Sequence, residues 1–132
     1  MHALYPKNIK VNVKIEESAA KIIADPDYIK RIFSNLALNA VQAMPSGGKL
    51  NIRAHADEQT KDILITVKDT GVGIPEEIKP KLFTPMMTTK AKGQGLGLAV
   101  VKRMVEALDG KISFETEEGK GTKFIIELPI DS

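Results

Sequence analysis

The stretch "DPDYIKRIFSNLALNAVQAM", Asp25 to Met44, decides how the rest of the chain is read, because the spacing of its apolar residues breaks with everything before it. Ile29, Ile32, Phe33, Leu36, Ala40 and Ala43 fall on one face at helical spacing, Asp25 or Asp27 can cap the start, and "PSGG" closes it. Upstream, "NIKVNVKIEE" alternates around Ile9, Val11, Val13 and Ile15, the period-two signature of a strand with one buried face, and "KIIA" reads as a second short strand. Downstream, "KLNIRAHA" and "DILITVKD" are strands joined by the polar "DEQT", a predicted hairpin with Asp69 at its far end. "TGVGIPEEIKPKLF" holds at most a short helical turn, and "TPMMTTKAKGQG" is a long loop. "LGLAVVKRMVEALDG" is a second amphipathic helix stopped by Gly110, and "KISFETEEGKGTKFIIELP" is a closing strand pair turning at Gly119 to Gly121. Strands interleaved with one-sided helices predict an α/β fold, a two-layer sandwich with the helices on one face of a mixed, mostly antiparallel sheet.

The 132 residues make one domain over 1–132, long enough to bury about two-thirds of the unfolded surface. With no cysteine, disulfides and thiolate metal sites are excluded. A formal net charge of +2, with lysines spread along the chain, gives no basic arm for nucleic acid or a membrane surface. No apolar run approaches the roughly 20 residues that cross a bilayer, and the N-terminal "MHALYPKNIK" lacks a signal-peptide core.

Three places can carry chemistry. Arg31, Asn35, Asn39 and Gln42 form a polar stripe beside the apolar face of the first helix. Asparagine is a poor interior helix residue, so two of them one turn apart read either as a solvated edge or as hard, neutral oxygen ligands suited to Mg²⁺. "DTGVGIP", Asp69 to Pro75, reads as a strand-end turn or as a base site. In the second reading an ionised Asp69 accepts from the exocyclic amino group of adenine and repels the carbonyl that guanine shows there, while Gly71 and Gly73 admit a flat base. "GQGLGL", Gly93 to Leu98, matches neither the Walker A nor the dinucleotide fingerprint. It is either a linker or a helix start whose free N–H groups receive an anion, with Lys90 and Lys92 on the loop before it. Met86 and Met87 read as cover for apolar surface, and His2 and His55 lack a partner that would make them catalytic. Together the three places meet the needs of Mg-ATP.

In this order the motifs resemble the ATP-binding fold shared by histidine kinases, type II topoisomerases, heat-shock chaperone ATPases and mismatch-repair ATPases. "NLALNAVQAM" is similar to the N box, "DTGVGIP" to the first glycine box, "KLFTPMMTTK" to the phenylalanine box and ATP lid, and the segment from "GQGLGLAVV" onward to the second glycine box with its closing strands. The resemblance implies that Asn39 is the Mg²⁺ ligand, Asp69 the adenine acceptor, Thr122 its support, Asn35 a support on the phosphate side and Lys90 the contact to the triphosphate. It implies that Gly71, Gly73, Gly93, Gly95 and Gly97 shape the pocket and lid, with Ile74, Leu96, Leu98, Gln42 and Lys92 also at the nucleotide. Hydrolysing members and the serine-kinase branch carry a glutamate base one turn before the metal-binding asparagine. Here that position is Asn35, whose amide cannot take a proton at neutral pH, whereas a histidine substrate needs no strong base. The resemblance is therefore to the catalytic domain of a sensor histidine kinase, with "NAVQAM" and "FTPMMTTK" similar to the nitrogen-regulator-like branch. Two residues depart from it: methionines stand for the aromatic pair after "FTP", and Gln42 stands where many relatives have a phosphate-contacting lysine.

No motif similar to the phospho-accepting His-Glu-x-x-x-Pro occurs in the chain. The partners implied are therefore a separate histidine-bearing dimerisation hairpin, an upstream sensor domain and a response regulator, with the domain cytoplasmic and unable to phosphorylate itself alone. The lid lysines are expected to be mobile until Mg-ATP binds. A gating ATPase of the same fold and a nucleotide-sensing module without transfer activity are the alternatives.

Overall fold

A computed structural model describes residues 8–16, 26–57, 59, 62–84 and 94–129, with the backbone alone at 26–28 and 94–97. The elements run β1 (Ile9–Ile15), α1 (Pro26–Gln42), β2 (Gly48–Ala56), β3 (Ile63–Asp69), a 3₁₀ turn (Lys79–Lys81), α2 (Gln94–Ala107), β4 (Lys111–Glu117) and β5 (Gly121–Leu128). They form a five-stranded sheet of order β1-β2-β3-β5-β4, in which β1 pairs parallel to β2 and the other neighbours pair antiparallel. The predicted mixed, mostly antiparallel sheet is what the chain forms. The parallel pair has a simple cause: α1 lies between β1 and β2 in the chain, so it carries the backbone back to start β2 in the same direction.

One face of the sheet carries the core. Leu50, Ile52 and Ala54 of β2, Ile63, Ile65 and Val67 of β3, and Phe124, Ile126 and Leu128 of β5 alternate inward and are buried. Against them pack Ile29, Ile32, Leu36, Ala37 and Ala40 of α1 and Leu98, Val101, Met104 and Val105 of α2; of the predicted α1 face Ile29, Ile32, Leu36 and Ala40 are buried, Phe33 and Ala43 are half-buried, and Ala37 joins them. Phe83, just after the 3₁₀ turn, stacks edge-on against Phe114 at 5.8 Å and Phe124 at 6.3 Å, so the segment leading out of the first glycine-rich stretch is anchored on β4 and β5.

Two expectations are revised. β1 was expected to bury one face, yet beyond Ile9 its inward residues Val11, Val13 and Ile15 are 37%, 54% and 44% exposed. β1 is the sheet's edge, and the helices are centred on the strands after it, with α1 over β2 and β3 and α2 over β4. The end of α2 also differs from a glycine stop. Asp109 takes the left-handed conformation with φ 62°, while the amide of Asp109 donates to the Glu106 carbonyl at 2.9 Å and that of Gly110 to the Val105 carbonyl at 2.8 Å. This is a Schellman cap with an aspartate in the position glycine commonly takes. "KIIA", Asp25 and the lid from Pro85 to Gly93 lie outside the described residues, and Asp27, of which the backbone alone is described, falls inside the first turn of α1.

Candidate functional site

The alternation that builds the core runs on into the site. On β3 the inward series Ile63, Ile65, Val67 ends in Asp69, and on β5 the series that contains Phe124 begins at Thr122. Register places Leu50, Asp69, Thr122 and Thr116 in one row across β2, β3, β5 and β4. Asp69 is 2% exposed and Thr122 5%, the buried polar residues of an otherwise apolar face among the described residues. A carboxylate so placed needs donors. The Asp69 Oδ1 accepts from the Gly71 amide at 2.8 Å and from the Thr122 amide at 3.3 Å. No described residue donates to Oδ2. Burial pushes the Asp69 carboxyl above the ordinary aspartate value, and the Gly71 and Thr122 amides pull the other way.

A second polar layer fixes Thr122. Its Oγ1 lies 2.9 Å from Thr116 Oγ1, which also accepts from the Ile74 amide at 3.0 Å and donates to the Gly121 carbonyl at 3.0 Å. With that proton given to Gly121, the Thr122 hydroxyl donates to Thr116 and keeps its own lone pairs free. Thr116 went unnoticed in the sequence. Its signal was the predicted turn at Gly119 to Gly121, which sets Thr116 opposite Thr122 once the hairpin register is followed.

The loop after Asp69 is tied at both margins. The Val72 amide donates to the Ala43 carbonyl at the end of α1 at 2.9 Å, and the Gly119 amide donates to the Val72 carbonyl at 2.8 Å. Gly71 and Gly73 owe their lack of a side chain first to these contacts. A Cβ on Gly71 would run into the Ala43 carbonyl oxygen, and one on Gly73, whose φ is +80°, would lie 2.5 Å from the Glu117 carbonyl oxygen. Ile74 is buried beside them in the core.

The other predicted residues divide by element. Asn35 and Asn39 are half-buried on α1 and neither side chain is spent on a hydrogen bond to a described residue, while Gln42 is exposed at the helix end. Gly95, Leu96 and Gly97 lie in the first turn of α2, where backbone N–H groups have no intrahelical acceptor, and Leu98 is buried in the core. Lys90, Lys92 and Gly93 fall outside the described residues. Thus Asp69, Gly71, Gly73, Ile74 and Thr122 are brought together by hydrogen bonds and register, and the Val72–Ala43 bond ties the end of α1, one turn beyond Asn39, to the same loop.

A family model described as histidine kinase-, DNA gyrase B-, and HSP90-like ATPase matches residues 24–132. The chain belongs to this ATPase family. Among its relatives, sporulation kinase E of Bacillus subtilis is 37% identical over 93% of this chain, and the sensor histidine kinase ZraS of Salmonella typhimurium is 40% identical over 94%. The chain spans only 16% and 26% of those two proteins. Among solved structures, the catalytic domain of histidine kinase ThkA superposes with a TM-score of 0.76 at 36% identity, covering 93% of this chain and 80% of that one. Full-length ShkA, solved with AMPPNP, gives 0.79 at 29% identity, covering 96% of this chain and 26% of that one. The fold is that of a histidine kinase catalytic domain, and its relatives are sensor kinases much longer than this chain. No helix among the described residues is long and apolar enough to cross a membrane.

Proposed function

We propose that this domain binds Mg-ATP with adenine on Asp69 and presents the γ-phosphate to a histidine on a helical hairpin elsewhere in its parent sensor kinase, from which a response regulator is then served. The observation that carries the reading is Asp69: a buried carboxylate with one oxygen held by two backbone amides and the other given no donor by any described residue. An ionised carboxylate only accepts hydrogen bonds, so that second oxygen selects the amino group of adenine over the carbonyl of guanine. Thr122, oriented by Thr116, lines the same edge. The stacked inner face at Ile74 supplies apolar cover.

On the phosphate side the donor set suits a magnesium ion that is bound chiefly by phosphate and water. Asn39 offers a neutral amide oxygen, and no cluster of three or more acidic, histidine or cysteine side chains exists among the described residues to cage a metal by protein alone. When bound, the ion neutralises phosphate charge during transfer. Asn39 would hold it, Asn35 would support the same side, and the amides at Gly95 and Gly97, with Lys90, would orient the terminal phosphates. Asn35 cannot serve as a base, and an imidazole acceptor needs none. Transfer then rests on positioning and charge neutralisation.

The test combines this chain with a separately produced histidine hairpin of the parent kinase and Mg-ATP labelled at the γ-phosphate. Acid-labile phosphate on the hairpin, and none on this chain alone, is the expected result. Steady ATP hydrolysis with no phosphate on the hairpin would reject the kinase reading in favour of a gating ATPase, and nucleotide binding with neither would leave a sensing module.

A further inference from the structure

The sheet face away from the helices gathers charge that the sequence disperses. Register sets Lys10 opposite Lys49 and Lys14 opposite Arg53 across β1 and β2, and Lys68 opposite Lys123 across β3 and β5. All except the half-buried Lys123 are exposed. Like charges directly opposite on neighbouring strands destabilise a sheet, because strands about 4.8 Å apart hold them well inside the screening distance of about 8 Å at physiological salt. The ion pairs of the described residues, Lys79–Glu76, Lys102–Glu106 and Lys120–Glu117, relieve none of these cations. The surface between Lys14, Arg53, Lys68 and Lys123 is hollowed into an open cup of about 470 Å³ that Asn12, Asn51 and Thr66 also line. Glu115 stands opposite Lys123 across β4 and β5, but no acidic residue stands opposite a member of either β1–β2 pair, and this uncompensated juxtaposition calls for an anionic counterpart from outside.

We infer that this open face is a docking surface for a protein segment or surface with clustered aspartate and glutamate side chains. Its shape decides among anionic partners. The cationic zone is about 15 Å wide, the span of β1, β2, β3 and β5, and ends where β4 brings up Glu115 and Glu117. A short acidic patch fits within that margin, whereas a duplex or a lipid plane would run over the acids. The described phenylalanine rings Phe33, Phe83, Phe114 and Phe124 are packed on the opposite, core side, so none of them is offered on the cup to stack on a base or anchor in an interface. Carboxylates meet lysine and arginine ammonium and guanidinium groups, and the Asn12 and Asn51 amides supply further donors between them.

The probe is fluorescein-labelled poly-L-glutamate, followed by anisotropy while sodium chloride is raised. Binding should weaken steadily with salt, and Lys14→Glu with Arg53→Glu should reduce affinity at least about tenfold with ATP affinity and far-ultraviolet circular dichroism unchanged. Lys14→Glu alone separates recognition from folding: it turns a repulsive cross-strand pair into an attractive one, so the melting temperature rises while poly-glutamate binding falls. Should the double variant not fold, Lys14→Gln with Arg53→Gln is expected to show a smaller loss in the same direction. Poly-glutamate binding that none of these substitutions weakens would overturn the inference. So would tighter binding, at equal salt, to a duplex DNA oligonucleotide or to phosphatidylglycerol vesicles.

Discussion

The base end and the phosphate end of the candidate site are built on opposite plans. At the base end, Asp69, Thr122 and Thr116 sit in one strand row, and backbone amides fix the carboxylate before anything binds. At the phosphate end, Asn35 and Asn39 project from a helix, and neither amide is bonded to a described residue. A flat heterocycle tolerates little error in hydrogen-bond geometry, whereas a triphosphate and its metal are held by charge over longer distances. On the proposed reading the labour would be divided accordingly, with rigid strands reading the base and helix side chains gathering the phosphates.

Substitutions can break that contrast. The largest effect is expected for Asp69→Asn, which keeps the shape but puts a donor where an acceptor is needed; nucleotide affinity by calorimetry should fall on the order of 100-fold, with an intact fold. Unchanged affinity would place adenine elsewhere. Gly71→Ala attacks the base end through packing, since the new methyl meets the Ala43 carbonyl. A loss of about 1–3 kcal/mol in urea unfolding is expected, and a neutral outcome would mean the loop can move away from α1. For Asn39→Ala the expected signature is selective: the Mg²⁺ dependence of ATP binding should flatten while adenosine binding, which needs only the base end, is kept.

Smaller effects sharpen the picture. Thr116→Val removes the oxygen that accepts from Ile74 and steadies Thr122; losing about 1 kcal/mol implies nucleotide affinity down about fivefold, with Thr116→Ser restoring most of it. A deficit in stability alone, without one in affinity, would make Thr116 purely structural. Acidity should act on the base end in two opposite senses. Burial raises the Asp69 carboxyl above its ordinary value, so on acidification the native state takes up this proton before the unfolded chain does. Between the raised and the ordinary value, lowering pH therefore adds stability from this group, and further acid adds none. Nucleotide affinity runs the other way, because only the ionised form is a pure acceptor. Calorimetry across the acid range should show ATP binding fading from a pH above the usual aspartate range, a dependence Asp69→Asn removes.

Legibility in the sequence followed the same physical divide. Periodicity exposed both helices and all the strands described, because Leu36, Val67 or Phe124 must face the core whatever lies around them. Asp69 was visible because a carboxylate closing an apolar strand before two glycines has few cheap explanations. Its flanking glycines were visible for a partly different reason than expected: the neighbours that exclude a side chain are Ala43 and Glu117 of this chain. What could not be read depended on contacts between distant residues. The exposure of Val13 follows from β1 being an edge, and the cationic face arises only when register sets Lys14 beside Arg53 and Lys68 beside Lys123. A net charge of +2 concealed a face on which like charges meet.

The paired bonds of Val72 have a consequence of their own. This residue donates to the end of α1 and accepts from the turn between β4 and β5, so displacing it severs a helix contact and a hairpin contact together. Local fluctuation is thereby converted into a concerted one. In native-state hydrogen exchange the Val72 and Gly119 amides should exchange through one shared opening, with protection factors that rise together when nucleotide is added.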